Sequence, residues 1–297
     1  MKPTILSIFM LIFFTEFAIA QFVAGSGTET DPYQIETLQQ LQYVRHHLDK
    51  HFLQTANIDA SETKNWNNGK GFDPLGNETD RFSGVYDGNN HSISGLHILR
   101  EEESHVGLFG YLDLAMIKNL NLIDAEIEGN YYVGGLAGTL GRGEIVQSSM
   151  SGKVSGFGTV GGLIGYVHNG DIKASNSSAQ VGRLPGTRTA HFGGLVGFLN
   201  QGNIVNSHAS GNVSSGFSVG GLVGRNDYGV IVDCYASGDV SGQVSGGLIG
   251  YNVRGVVVDS HATGQVSGSS STGTIVGFNI KGTINKISNP GNIYPVD

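Results

Sequence analysis

Gly220-Gly221-Leu222-Val223-Gly224, followed by Gly229-Val230-Ile231-Val232-Asp233-Cys234-Tyr235-Ala236-Ser237-Gly238-Asp239-Val240, is one copy of a unit that recurs along this chain. The string G-G-L-x-G also stands at Gly134–Gly138, Gly161–Gly165, Gly193–Gly197 and Gly246–Gly250, with weaker copies at Val106–Gly110 and Gly273–Gly277. Its central apolar residues are Leu108, Leu136, Leu163, Leu195, Leu222, Leu248 and Ile275, spaced by 28, 27, 32, 27, 26 and 27 residues. The long interval holds an insertion at Arg183–Arg188, expected to bulge from one coil as a loop.

The second half of the unit, G-x-[IV]-x-x-[SC], leads into strict alternation. Cys234, Ala236, Gly238 and Val240 form one set; Tyr235, Ser237 and Asp239 form the other. Ser207 to Val213 and Ser260 to Val266 repeat the pattern. Period-two alternation is the mark of a strand with one buried face. A unit of about 27 residues cannot bury such a face alone. Repeated coils solve this by pairing each strand with its equivalent in the next coil, roughly 4.8 Å away. Glycine is expected wherever the chain turns or two coils approach closely.

G-G-L-x-G followed by G-x-[IV]-x-x-[SC]-x-A-x-G-x-V resembles the GLUG repeat of bacterial adhesins and of non-catalytic regions in immunoglobulin-A peptidases. The resemblance covers about 106–287. It implies a right-handed parallel β-helix, an all-β solenoid. Upstream, Phe82 to Ile98 alternates, breaks at Asp87-Gly88-Asn89-Asn90 and alternates again. This stretch resembles the coil that commonly precedes such arrays. Asp87 and His91 are accordingly read as turn residues.

Bulk composition agrees. Glycine is 47 of 297 residues, proline only 6, and charged residues make up 14 %, well below the ~25 % of ordinary soluble domains. Net charge is −8 with no Lys/Arg cluster in the repeats, so no nucleic-acid partner is expected. Lys2, the apolar run Ile5–Phe14 and Ala18-Ile19-Ala20 make residues 1–20 a secretory signal peptide cleaved after Ala20. The mature chain is expected to hold no transmembrane segment and to be secreted or held at the cell surface. Cys234 is the only cysteine, so no intramolecular disulfide forms.

The expected organisation is a signal peptide (1–20), a cap helix with the first coil or coils (21–100), the repeat solenoid (101–288) and a tail (289–297). A helix is predicted over Thr37–Lys50, capped by Thr37, with Leu38, Leu41, Val44 and Leu48 on one face. It would shield the first coil. His46, His47 and His51 lie on or near it but lack metal-ligand spacing, and neither a metal site nor a cofactor is expected.

Stacking the copies places Ser149, Asn176, His208, Tyr235 and His261 in one outward column, and Ser151, Ser178, Ser210, Ser237 and Thr263 in the next. A third holds Lys153, Gln180, Asn212, Asp239 and Gln265, and Asp233 and Asp259 stand at a corner. Glycan chemistry needs paired carboxylates near a base, and these columns assemble none. H-E-x-x-H and G-x-S-x-G in their required settings are missing from the sequence. The expectation is therefore a non-catalytic surface adhesin, stalk or binding module. Its binding ladder would be Ser151, Ser178, Ser210, Ser237, Thr263, His208, Tyr235 and His261, and its partner a glycan or a host matrix protein. The alternatives are a polysaccharide-active β-helix enzyme, lyase or hydrolase, and a fragment of a larger surface protein.

Overall fold

The computed structural model describes residues 22–184, 190–285 and 293–295. The signal peptide at 1–20, residues 185–188 of the insertion, and 289–292 with 296–297 of the tail lie outside them. Across the described residues the chain winds as a parallel β-solenoid with three sheets running along its axis. In one coil, Ile164–His168 lies in the first sheet, Asp171–Lys173 in the second, and Asn176–Ser177 with Gln180–Arg183 in the third. The next coil repeats this with Val196–Asn200, Asn203–Val205 and His208–Ala209.

The leucines that define the period hold the coils in register. Leu136 N–H donates to Leu163, Leu163 to Leu195, Leu195 to Leu222, Leu222 to Leu248 and Leu248 to Ile275, each at 2.9 Å. Their side chains are buried along the axis. Ile145, Ile172, Ile204, Ile231 and Val257 form a second ladder in the second sheet. Each such side chain contributes ~1.5–3 kcal/mol on leaving water, which a single coil could not collect.

The second glycine of G-G-L-x-G is there for close approach and not for its backbone angle. A Cβ on Gly162 would stand 2.1 Å from the Gly194 carbonyl oxygen and 2.2 Å from Ser177 Oγ. Gly194, Gly221 and Gly247 meet the carbonyl of the following coil at 2.1, 2.2 and 2.1 Å. Glycine holds some positive-φ positions, as at Gly143 and Gly202 (φ 118 and 90°), but many corners are turned by other residues. One corner stacks Asn119, Gln147, Ala174, Asn206, Asp233 and Asp259, with φ of 54, 48, 49, 49, 53 and 48°. These are sharp bends turned on a single left-handed residue, a conformation that Asn and Asp adopt most readily.

The N-terminal helix is shorter than its periodicity suggests. It spans Leu38–Tyr43, continues as one 3-10 turn over Val44–His46, and stops at His47, whose φ and ψ of −143° and 48° leave the helical region. His51 already belongs to the strand His51–Gln54. The predicted cap is present: Thr37 Oγ1 accepts from Gln40 N–H, and Gln40 Oε1 accepts from Thr37 N–H. Leu38, Leu41 and Val44 are buried. His47 is drawn out of the helix into an aromatic plug with Phe22, Tyr33 and Tyr43, at centroid distances of 5.5 Å to each. At the other end, Ile293–Pro295, read from the sequence as tail, runs parallel to Val266–Gly268. No helix among the described residues is long and apolar enough to cross a membrane.

Candidate functional site

The third sheet presents the predicted columns to solvent because its alternate residues are anchored inward. Met150, Ser177, Ala209, Ala236 and Ala262 are in register and buried. Their neighbours Ser149, Asn176, His208, Tyr235 and His261 must therefore point outward. The rings stack: His208 on Tyr235 at 4.5 Å and 4° between planes, Tyr235 on His261 at 5.3 Å and 12°.

The hydroxyl row follows immediately. Ser178, Ser210, Ser237 and Thr263 are exposed, and Ser151 is half-buried with its Oγ accepting the Asp124 N–H at 3.0 Å. Backbone N–H groups of Ser178, Ser210, Ser237 and Thr263 each donate to the preceding coil at 2.9 Å, so the hydroxyls sit on a rigid lattice. All eight predicted residues thus fall in two adjacent outward rows. Both faces of Tyr235 are covered by the two histidine rings, leaving its edge and phenol, with the histidine ring nitrogens, for solvent. Burial lowers the His208 pKa, keeping that ring neutral. Such a surface is suited to hydrogen bonds with hydroxyls and amides and not to face-on ring stacking.

The carboxylate within the predicted columns is occupied by the backbone. Asp239 Oδ1 accepts the Gln265 N–H at 3.0 Å, and Asn212 Oδ1 accepts the Asp239 N–H at 2.9 Å. Asp233 and Asp259 occupy left-handed corners. Asp87 caps its own turn through Asn89 N–H at 2.8 Å and meets Lys118 at 3.1 Å. His91 Nδ1 lies 3.3 Å from Asn57 Oδ1. Among the described residues the His–carboxylate pairs are His97–Glu126 at 3.6 Å and His105–Glu78 at 3.8 Å, both near the N-terminal coils. No group of three potential metal ligands gathers among the described residues. Cys234 is buried, which pushes its thiol up to about 12 and leaves it a poor nucleophile.

Sequence reasoning missed two further ladders. The position three residues after each repeat leucine forms a row on the first sheet's outer side, Tyr111, Thr139, Tyr166, Phe198, Arg225, Tyr251 and Phe278, in which Thr139 is buried beneath His105. Tyr166 meets Phe198 at 5.2 Å, and the Arg225 guanidinium lies over Phe198 and Tyr251 at 5.3 and 5.6 Å. The next position turns inward and changes from Leu140, Val167 and Leu199 to Asn226, Asn252 and Asn279. Aligning the copies beyond the final glycine of G-G-L-x-G would have exposed both.

The family model of the GLUG motif matches residues 189–214 and 215–241. Halomucin of Haloquadratum walsbyi is 38 % identical over 148 residues, 47 % of this chain and 2 % of that protein. A candidate Gly-rich membrane protein of Evansella cellulosilytica is 34 % identical over 131 residues, 40 % of this chain and 15 % of that protein. The chain therefore spans a small part of either relative. Among solved structures, a candidate immunoglobulin A1 protease from Bacteroides ovatus aligns with a TM-score of 0.56 at 22 % identity, covering 90 % of this chain and 80 % of that one. An IgA1 protease chain aligns with a TM-score of 0.66 at 19 % identity, covering 86 % of this chain and 21 % of that one. At these identities what is shared is the fold. Residues 189–241 thus carry two GLUG motifs, set within a parallel β-solenoid.

Proposed function

We propose that this chain is an exported, non-catalytic solenoid that serves at a cell surface as an adhesive or stalk module. The observation that carries the reading is the third sheet's outward face. There the His208–Tyr235–His261 stack and the Ser178–Thr263 hydroxyl row form a flat, rigid, polar lattice. Rigid presentation of hydrogen-bonding groups lowers the entropy lost when a partner binds. Asp239, the carboxylate within the predicted columns of that face, is engaged with the backbone and not with a base. The residues 1–20, with their charged start, apolar run and small-residue cleavage site, support export. The similarity to halomucin and to a Gly-rich membrane protein supports a place at the surface.

The test is retention of the purified chain on immobilised glycans and matrix proteins, compared with the variant His208→Ser, Tyr235→Ser, His261→Ser. Serine already occupies that column at Ser149, so the variant should unfold at the wild-type temperature. The expected result is at least a tenfold loss of retention. Retention by the variant equal to wild type would exclude this face as the binding surface.

A further inference from the structure

On the same outward face, beside the Lys153–Gln180–Asn212 row, a groove of about 310 Å³ opens across four successive coils. Its floor is the strand backbone at Val154 and Val181, whose side chains turn inward into the core, and its walls carry Glu128, Lys153, Ser155, Gln180 and Asn212. Four coils at ~4.8 Å spacing give it a length of roughly 14 Å, enough for two or three sugar units. The size lies at the small end of the range for ligand sites, about 300–1,000 Å³.

One residue keeps it open. The column through the groove reads Glu128, Ser155, Gly182, and then Ser214, Ser241 and Ser267. Gly182 is the single glycine among these. It lies inside the strand Gln180–Arg183 and is absent from the positive-φ residues. A Cβ added to it would meet nothing within 4 Å among the described residues. Most glycines of this solenoid are forced by a neighbouring carbonyl, as Gly162 is. Among the described residues Gly182 is required neither by backbone angle nor by packing, and glycine weakens a strand interior. A glycine of this kind marks a place where something outside the chain comes close.

The walls indicate what comes close. Glu128 and Lys153 bring one charge of each sign, and neither makes an ion pair among the described residues. Asn212 uses its Oδ1 on the backbone and keeps its NH2 group for the groove. Carboxylate, ammonium, amide and hydroxyl groups around a strip of strand backbone recognise a molecule rich in hydroxyls, with little net charge. We infer that this groove is a subsite for a neutral oligosaccharide, seated with one sugar on Gly182. The inference rests on the binding-module reading and names the ligand class and the place.

The experiment uses the intact chain, an array of neutral β-glucan, xylan, mannan and galactan fragments with uronate oligomers alongside, and titration calorimetry on whatever binds. The decisive variant is Gly182→Val, which fills the floor with a strand-favouring side chain. Wild type should bind a neutral oligosaccharide, and Gly182→Val should lose at least tenfold in affinity while melting at or above the wild-type temperature. Gly182→Ser, which restores the residue of its column, should lie between the two. Equal binding by wild type and Gly182→Val overturns the subsite, as does retention of uronate oligomers alone. If wild type binds matrix proteins but no saccharide, the subsite fails and the binding-module reading stands. If it binds neither, both fail.

Discussion

Asn226 Nδ2 donates to Asn252 Oδ1 at 2.9 Å, and Asn252 Nδ2 repeats the bond to Asn279 Oδ1 at 2.9 Å. Asn226 and Asn252 are fully buried. Each amide also reaches its own coil, Asn226 to the Gly229 carbonyl at 3.2 Å and Asn252 to the Gly255 carbonyl at 3.3 Å. The ladder thus satisfies every rung at once or leaves buried groups orphaned.

Asn252→Ala should therefore be costly, because it removes the acceptor of one buried Asn226 amide hydrogen and the donor to Asn279 Oδ1. The expected loss is about 2–4 kcal/mol in urea unfolding, combining unmade bonds with a cavity. Replacing Asn226, Asn252 and Asn279 together by Leu should be nearly neutral by comparison, since the earlier coils hold Leu140 and Leu199 in this column. A triple variant less stable than Asn252→Ala alone would contradict this.

A second ladder makes Cys234 replaceable. Ser148, Ser175, Ser207 and Ser260 are its buried equivalents; each hydroxyl donates to the carbonyl two residues earlier, at 2.9, 2.9, 2.8 and 2.8 Å. The Cys234 thiol does the same toward Val232 at 3.1 Å. Cys234→Ser should match wild type or gain up to about 1 kcal/mol, whereas Cys234→Val should lose about 1–3 kcal/mol through the unmet backbone groups. Thiol reagents should label Cys234 only after denaturation.

His191 makes the array sensitive to acid. Burial, then the nearby Arg225 charge, lowers its pKa from 6.5 to about 4, and its Nδ1 has no hydrogen-bond partner among the described residues. The unfolded chain binds this proton more readily than the folded one. Stability is therefore complete above about pH 6.5 and falls as pH drops toward about 4, by ~2–3 kcal/mol from this group. Urea midpoints between pH 7 and 4 should fall less steeply for His191→Val, whose column already holds Val244. An unchanged slope would rule out His191 as the source.

Ala174 sits exposed at φ 49° in the corner otherwise dominated by Asn and Asp. Relieving its left-handed strain, Ala174→Gly or Ala174→Asn should raise stability by up to about 1 kcal/mol, while Ala174→Val should lower it by about 1–2 kcal/mol. Gly162→Ala, by contrast, drives a Cβ to 2.1 Å from the next coil and should be among the most damaging changes in the chain.

The parts of the fold that repeat were legible. Leu136 and its equivalents lie one coil length apart and bond as rungs, and the alternation from Cys234 to Val240 told inward from outward. What did not repeat was harder. Asn226 and Asn252 follow Leu199 in a column that changes chemistry midway, and a pattern built on constancy averages such a switch away. Helix length was overread because Leu48 continues the 3.6-residue period, while edge-on and tilted packing of His47 against Phe22 and Tyr33 ended the helix early. The outward rows were readable because inward Ala and Val fix their neighbours. The groove was not, because its signal is one missing side chain at Gly182.

Binding without turnover is the behaviour expected of this surface, and one paired measurement decides it. The purified chain is titrated with acidic and neutral polysaccharides while reducing ends and unsaturated uronate products are followed in the same samples. Saturable binding with no product above the protein-free blank is the predicted result. Product formation that Asp239→Asn or Asp259→Asn abolishes would contradict it and make the solenoid an enzyme.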